Sequence, residues 1–114
     1  VWALEYSEDA DRDFELIFDH LFDSHVELGG SPDEALERTA ERTRKLRVEI
    51  DRLVDTPYIG TLRADIYPGI RFLRRDKAAI WFLPVESSRT IIIAAIFYGA
   101  QDHIRHMLAR MLAG

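Results

Sequence analysis

The sequence predicts an α+β fold: a helical hairpin packed on an antiparallel β-sheet, in the order strand, helix, helix, strands, helix. Two observations predict it. Apolar residues recur at helical spacing through the first half of the chain and at a spacing of two after Pro57. Turn residues divide the second half into strands too closely spaced for crossover connections.

The element order starts with a strand. From Val1 to Tyr6, Trp2, Leu4 and Tyr6 alternate with Ala3 and Glu5. Ser7 is a helix N-cap, and Glu8, Asp9 and Asp11 place negative charge in the first turn, where the helix dipole favours it. Ala10, Phe14, Ile17 and Leu21 form one helix face, and the helix is expected to end before Gly29-Gly30. Ser31-Pro32-Asp33-Glu34 opens the second helix as a capping box with proline at its first position. Leu36, Thr39, Thr43, Leu46, Ile50 and Leu53 are its expected inner face, and Asp55-Thr56-Pro57 ends it. So short a link predicts antiparallel packing of the two helices.

Strands are expected at Thr61–Ile66, at Ile70–Arg75 after a Tyr67-Pro68-Gly69 turn, at Ala78–Val85 after Asp76-Lys77, and at Thr90–Tyr98 after Glu86–Arg89. A last helix is expected from Gln101 to Leu112, with Ile104, Leu108 and Met111 on one face.

Composition bounds the function. The chain has 114 residues, 47% hydrophobic and 31% charged, without cysteine. That is the composition of a single globular domain, with neither a disulfide framework nor a thiolate metal site. It contains no apolar run long enough to span a membrane and no basic-then-apolar leader, so the expectation is a cytoplasmic domain over residues 1–114. The net charge of −5 is unevenly spread: residues 1–57 carry 16 acids and 7 bases, residues 58–114 carry 4 acids and 8 bases. A net-acidic chain is poorly suited to bind nucleic acid over its whole surface, but a basic face in its second half can meet an acidic partner.

Several segments resemble the RelE/ParE toxin superfamily in order and spacing. Leu4-Glu5-Tyr6-Ser7-Glu8-Asp9-Ala10-Asp11-Arg12-Asp13 is similar to the family's first strand and helix entry, and Ser31-Pro32-Asp33-Glu34-Ala35 to the opening of its second helix. Leu53-Val54-Asp55-Thr56-Pro57-Tyr58-Ile59-Gly60 resembles its L-x-x-x-P-x-x-G junction. Pro68-Gly69-Ile70-Arg71-Phe72 follows, and Ile96-Phe97-Tyr98-Gly99-Ala100-Gln101-Asp102-His103 resembles the ending of the plasmid-stabilisation (ParE) members. The resemblance implies a toxin of a type II toxin–antitoxin system. It implies a hetero-oligomer with a cognate antitoxin, ParD-like and of the ribbon-helix-helix type, through which alone DNA is contacted.

The resemblance leaves two activities to weigh. RelE-like members cleave messenger RNA on the ribosome with clustered bases on the sheet and a proton-transfer group near the C-terminus, a use of charge-assisted donors and acid–base groups without metal. Arg71, Arg74, Arg75 and His103 are the candidates for that chemistry, but Ala78-Ala79-Ile80 stands where the nuclease has an arginine, and no tyrosine follows Tyr98. The alternative reading of the three arginines is a solvated sheet edge. These departures favour ParE-like inhibition of DNA gyrase by protein–protein binding, which needs neither catalytic residue nor cofactor. The antitoxin-binding candidates are Arg63, Arg71, Arg74 and Arg75; the target-binding candidates are Tyr98, His103, Met107 and Met111. A fold member that only binds antitoxin is the third possibility. His103 and His106 share a helix face, but they read as exposed polar residues, and no metal site is expected.

Overall fold

The computed structural model describes residues 1–99 and 102–114. Its elements are β1 (Ala3–Tyr6), α1 (Glu8–Glu27), α2 (Pro32–Asp51) continued by a 3-10 turn (Arg52–Asp55), β2 (Thr61–Leu62), β3 (Arg71–Arg75), β4 (Ala78–Val85), β5 (Thr90–Tyr98) and α3 (His103–Ala113).

The caps act as the sequence predicts. Ser7 Oγ accepts from the Ala10 amide at 3.1 Å and Ser31 Oγ from the Glu34 amide at 3.2 Å. Asp76 and Lys77 both take positive φ, as a two-residue hairpin turn between right-twisted strands requires. Two expectations are corrected. The second helix buries Ala35, not Leu36, in its first turn, followed by Thr39, Leu46 and Ile50. The strand expected at Thr61–Ile66 shrinks to Thr61–Leu62, because the chain turns back at once through Arg63 N–H to Ile70 O and Ile66 N–H to Arg63 O.

The five strands form one sheet in the order β1-β5-β4-β3-β2. Four of them pair antiparallel, but β1 lies parallel to β5, Ala3 opposite Thr90 and Tyr6 opposite Ile93. The sheet is therefore mixed, not antiparallel throughout. The helical hairpin carries the chain from β1 across the sheet, and a strand returning after such a crossover can run parallel.

Two cores lie on the two faces of the sheet. The hairpin packs Ala10, Phe14, Ile17, Leu46, Ile50 and Leu53 on Ala78, Ile80, Phe82, Ile91, Ile93 and Ile96. On the opposite face Trp81, Ala79, Ala95 and Phe97 meet Met107 of α3, with Phe72 and Ile104 alongside. A register shift between Trp81 and Phe82 leaves Ala94 as an extra residue on β5. One added residue reverses the alternation, so Ile91 and Ile93 face the hairpin while Ala95 and Phe97 face α3. Ser7 Oγ, while capping α1, donates to the Ala94 carbonyl at 3.0 Å and pins this bulge. No helix among the described residues is long and apolar enough to cross a membrane.

Candidate functional site

The strand alternation of β3 divides the arginines. Leu73 belongs to the hairpin-side core and Phe72 to the α3-side core, so Arg71 and Arg75 fall on the hairpin side and Arg74 on the α3 side. Arg71 lies over the Tyr58 ring and donates to the Tyr58 carbonyl at 2.7 Å. Arg75 donates to the Arg74 carbonyl at 2.9 Å. Arg74 reaches the Gly99 carbonyl at 3.4 Å, and Arg63 makes a bidentate pair with Asp65 at 2.9 and 2.8 Å. Arg74 and Arg63 both act electrostatically on His103. Arg74 thus shares the α3 side of the sheet with Phe72, on which His103 packs, whereas Arg71 and Arg75 do not.

His103 is not the exposed residue expected from sequence. It is 8% exposed, at the first turn of α3, and its Nδ1 accepts a hydrogen bond from Trp81 Nε1 at 3.2 Å. Phe72 and Trp81 meet its ring edge-on, with centroids 4.8 and 5.7 Å away. Burial first, then Arg74, holds its pKa below the usual histidine value; Asp102 opposes this and Arg63 adds to it. The ring is neutral when Nδ1 accepts, with the proton on Nε2. His106 lies instead against Phe97, nearly parallel at 5.7 Å. No group of three or more acidic or histidine ligands suited to a metal occurs among the described residues.

The target-binding candidates separate in the same way. Met107 is 4% exposed and points into the sheet. Met111 is at the surface with Leu108 and Leu112, the last 81% exposed. The expected inner face of α3, Ile104, Leu108 and Met111, is therefore corrected: the inward residues are His103 and Met107, with Ile104 partly buried. The Tyr98 hydroxyl accepts from Arg42 of α2 at 2.7 Å, and Arg42 is also 3.7 Å from Asp76. The Ala100-Gln101 part of the terminal motif lies outside the described residues.

Sequence reading missed Asp13. It is 4% exposed, accepts from the Ile96 amide of β5 at 2.9 Å, and holds Arg110 of α3 through two bonds of 2.8 and 2.7 Å. Ile96 lies beyond the part of β5 that β1 covers, so Asp13 seals an open sheet edge and Arg110 ties α3 to α1 around it. Arg110 also lies 4.6 Å over the Phe97 ring. The signal was present: Ala10, Asp13, Phe14 and Ile17 follow the i, i+3, i+4, i+7 pattern of a buried face. Beside this pair a groove of about 620 Å³ opens between α1 and α3, with His20, Phe97 and His106 in its walls.

The architecture is that of the RelE/ParE toxin fold. The chain is similar to a chain of the chromosomal ParDE toxin–antitoxin system from P. aeruginosa, with a TM-score of 0.61 and 22% identity over 87% of this chain and 97% of that one. It is similar to the isolated E. coli RelE toxin, with a TM-score of 0.58 and 9% identity over 98% and 99% of the two chains. A chain of the intact E. coli RelBE toxin–antitoxin complex gives a TM-score of 0.57 and 11% identity over 89% and 99%. No family model matches the chain, and no curated protein matches it in sequence.

Proposed function

We propose that this chain is the toxin of a type II toxin–antitoxin system, ParE-like, acting in the cytoplasm by binding and inhibiting DNA gyrase. A cognate ParD-like antitoxin neutralises it and makes the DNA contacts of the complex. The observation that carries this reading is the fold shared with toxins over nearly their whole length, 97% of the ParDE chain included. The dispersal of the candidate nuclease bases over two sheet faces supports binding over catalysis. The surface offered to the target is the outer side of α3, where Met111 lies with Leu108 and Leu112, and methionine adapts readily to a partner. Purified gyrase supplies the test. Addition of the free chain is expected to inhibit supercoiling and trap cleaved DNA; supercoiling unchanged at saturating chain overturns the reading.

The second reading, a ribosome-dependent messenger-RNA endonuclease, is favoured by one observation: Arg74 lies on the same side of the sheet as Phe72, on which His103 packs. Primer extension on translated messages reports it as new cleavage ends that vanish in Arg74→Ala. Growth unaffected by induced expression in a host with both targets identifies an inactive fold member that only binds antitoxin.

A further inference from the structure

Among the described residues, α3 meets the sheet and α1 through His103 near its start, Met107, the half-buried Ile104, His106 against the Phe97 ring, and Arg110 near its end. Arg110 is held through two hydrogen bonds to Asp13. The His103–Trp81 bond holds the other end of the helix, and it exists only while Nδ1 carries no proton.

Among the described residues, the groups facing His103 disfavour the proton or need its absence, with one exception. β4 presents the uncharged Trp81 indole as donor, and β3 presents the Phe72 ring edge and the Arg74 guanidinium. The turn after β2 presents Arg63, already engaged by Asp65. His103 stands at the N-terminal end of α3, whose partial positive charge repels a cation. The exception is Asp102, which spends one oxygen capping the Arg105 amide at 3.2 Å. A proton on Nδ1 would set two donors against each other and leave the N–H of Trp81, a fully buried residue, without an acceptor. It would also place a third cation beside Arg63 and Arg74.

We propose that His103 is a proton-sensitive latch: neutral, it holds the first turns of α3 on the Phe72–Trp81 face of the sheet, and protonated, it releases them. Release uncovers an aromatic surface flanked by Arg63 and Arg74 while the Asp13–Arg110 pair still tethers the end of the helix.

The absence of cysteine gives a direct test. A single thiol is placed under α3 as Met107→Cys, and its rate of reaction with 4,4′-dithiodipyridine, which works in acid, is divided by that of Leu112→Cys on the exposed side. Between pH 7.5 and 5.5 the normalised rate is expected to rise about ten-fold, the population change that loss of one buried hydrogen bond produces. Adding His103→Asn, whose amide oxygen can still accept from Trp81, is expected to abolish the rise. A flat ratio, or an equal rise in the Asn variant, overturns the latch. Nuclear magnetic resonance on the unaltered chain covers the case in which Met107→Cys itself loosens α3. The Trp81 indole N–H, told from that of Trp2 by Trp2→Phe, is expected to move with the His103 ring titration and with the α3 amides. Titration of His103 with α3 signals unchanged also overturns it.

Discussion

Replacing Asp13 by alanine is the most informative single perturbation of this fold. The carboxylate takes three hydrogen bonds, one from the Ile96 amide and two from Arg110. Its loss leaves the Ile96 N–H facing a methyl group, and an unsatisfied buried donor costs about 1–3 kcal/mol. The Arg110 side chain is 34% exposed and can turn to water, so the ion pair counts at its solvent-screened value, about 1 kcal/mol. The expected loss is about 2–4 kcal/mol, a large part of the about 5–15 kcal/mol that holds a typical domain together. Asp13→Asn separates the two contributions. Its amide oxygen still accepts from Ile96, while the charge and the Arg110 bond to the second oxygen are lost, a solvent-screened pair whose expected cost is about 1 kcal/mol. Urea unfolding of the three proteins measures both differences, with an unchanged m-value as the check that the unfolded state is not altered. Equal destabilisation by the two substitutions would refute the assignment of the larger share to the sheet-edge amide. An alanine variant within about 0.5 kcal/mol of the parent would refute the role of Asp13 altogether.

Four further outcomes are expected. Gly60 has φ +85°, and a Cβ there would overlap the Phe72 carbonyl oxygen, so Gly60→Ala is expected to cost about 2 kcal/mol or more by thermal unfolding. Ser7→Ala removes both the α1 cap and the bond to the Ala94 bulge, for about 1–2 kcal/mol in the same assay. His103 has its folded pKa below the unfolded value of 6.5, so its stabilising contribution is complete above about pH 6.5 and is lost as pH falls from there through the folded pKa. Urea midpoints between pH 8 and 5 are expected to show this loss in the parent and not in His103→Asn. Met111→Asp is expected to reduce gyrase inhibition about ten-fold, the effect of losing an interface anchor, with a urea midpoint close to that of the parent.

The parts legible in the sequence are those set by neighbouring residues. Ser7 and Ser31 begin helices because their hydroxyls reach amides three residues on, and β4 and β5 keep their expected limits because turn residues bound them. The pairing of β1 with β5 joins residues almost ninety positions apart, and nothing local encodes it. Arg71, Arg74 and Arg75 read as one basic cluster only while the strand's alternation is set aside; with it, Arg74 parts from the other two. His103 read as a surface residue because its burial depends on Trp81, twenty-two positions earlier and on another element. Asp13 went unnoticed among many α1 acids, although it alone of them occupies the apolar face.

The short β1 has a consequence for life in a crowded solution. It covers β5 only from Thr90 to Ile93, and the uncovered stretch, Ala94 to Tyr98, is wholly apolar and aromatic, the composition that nucleates strand-to-strand polymerisation. Ser7 and Asp13 occupy the carbonyl of Ala94 and the amide of Ile96, the first two outward sites of that stretch. A neighbouring molecule that tried to add its own strand there would meet a hydroxyl and a carboxylate already in place. Ser7, which caps the first helix, and Asp13 within it thereby protect the chain from its own sheet.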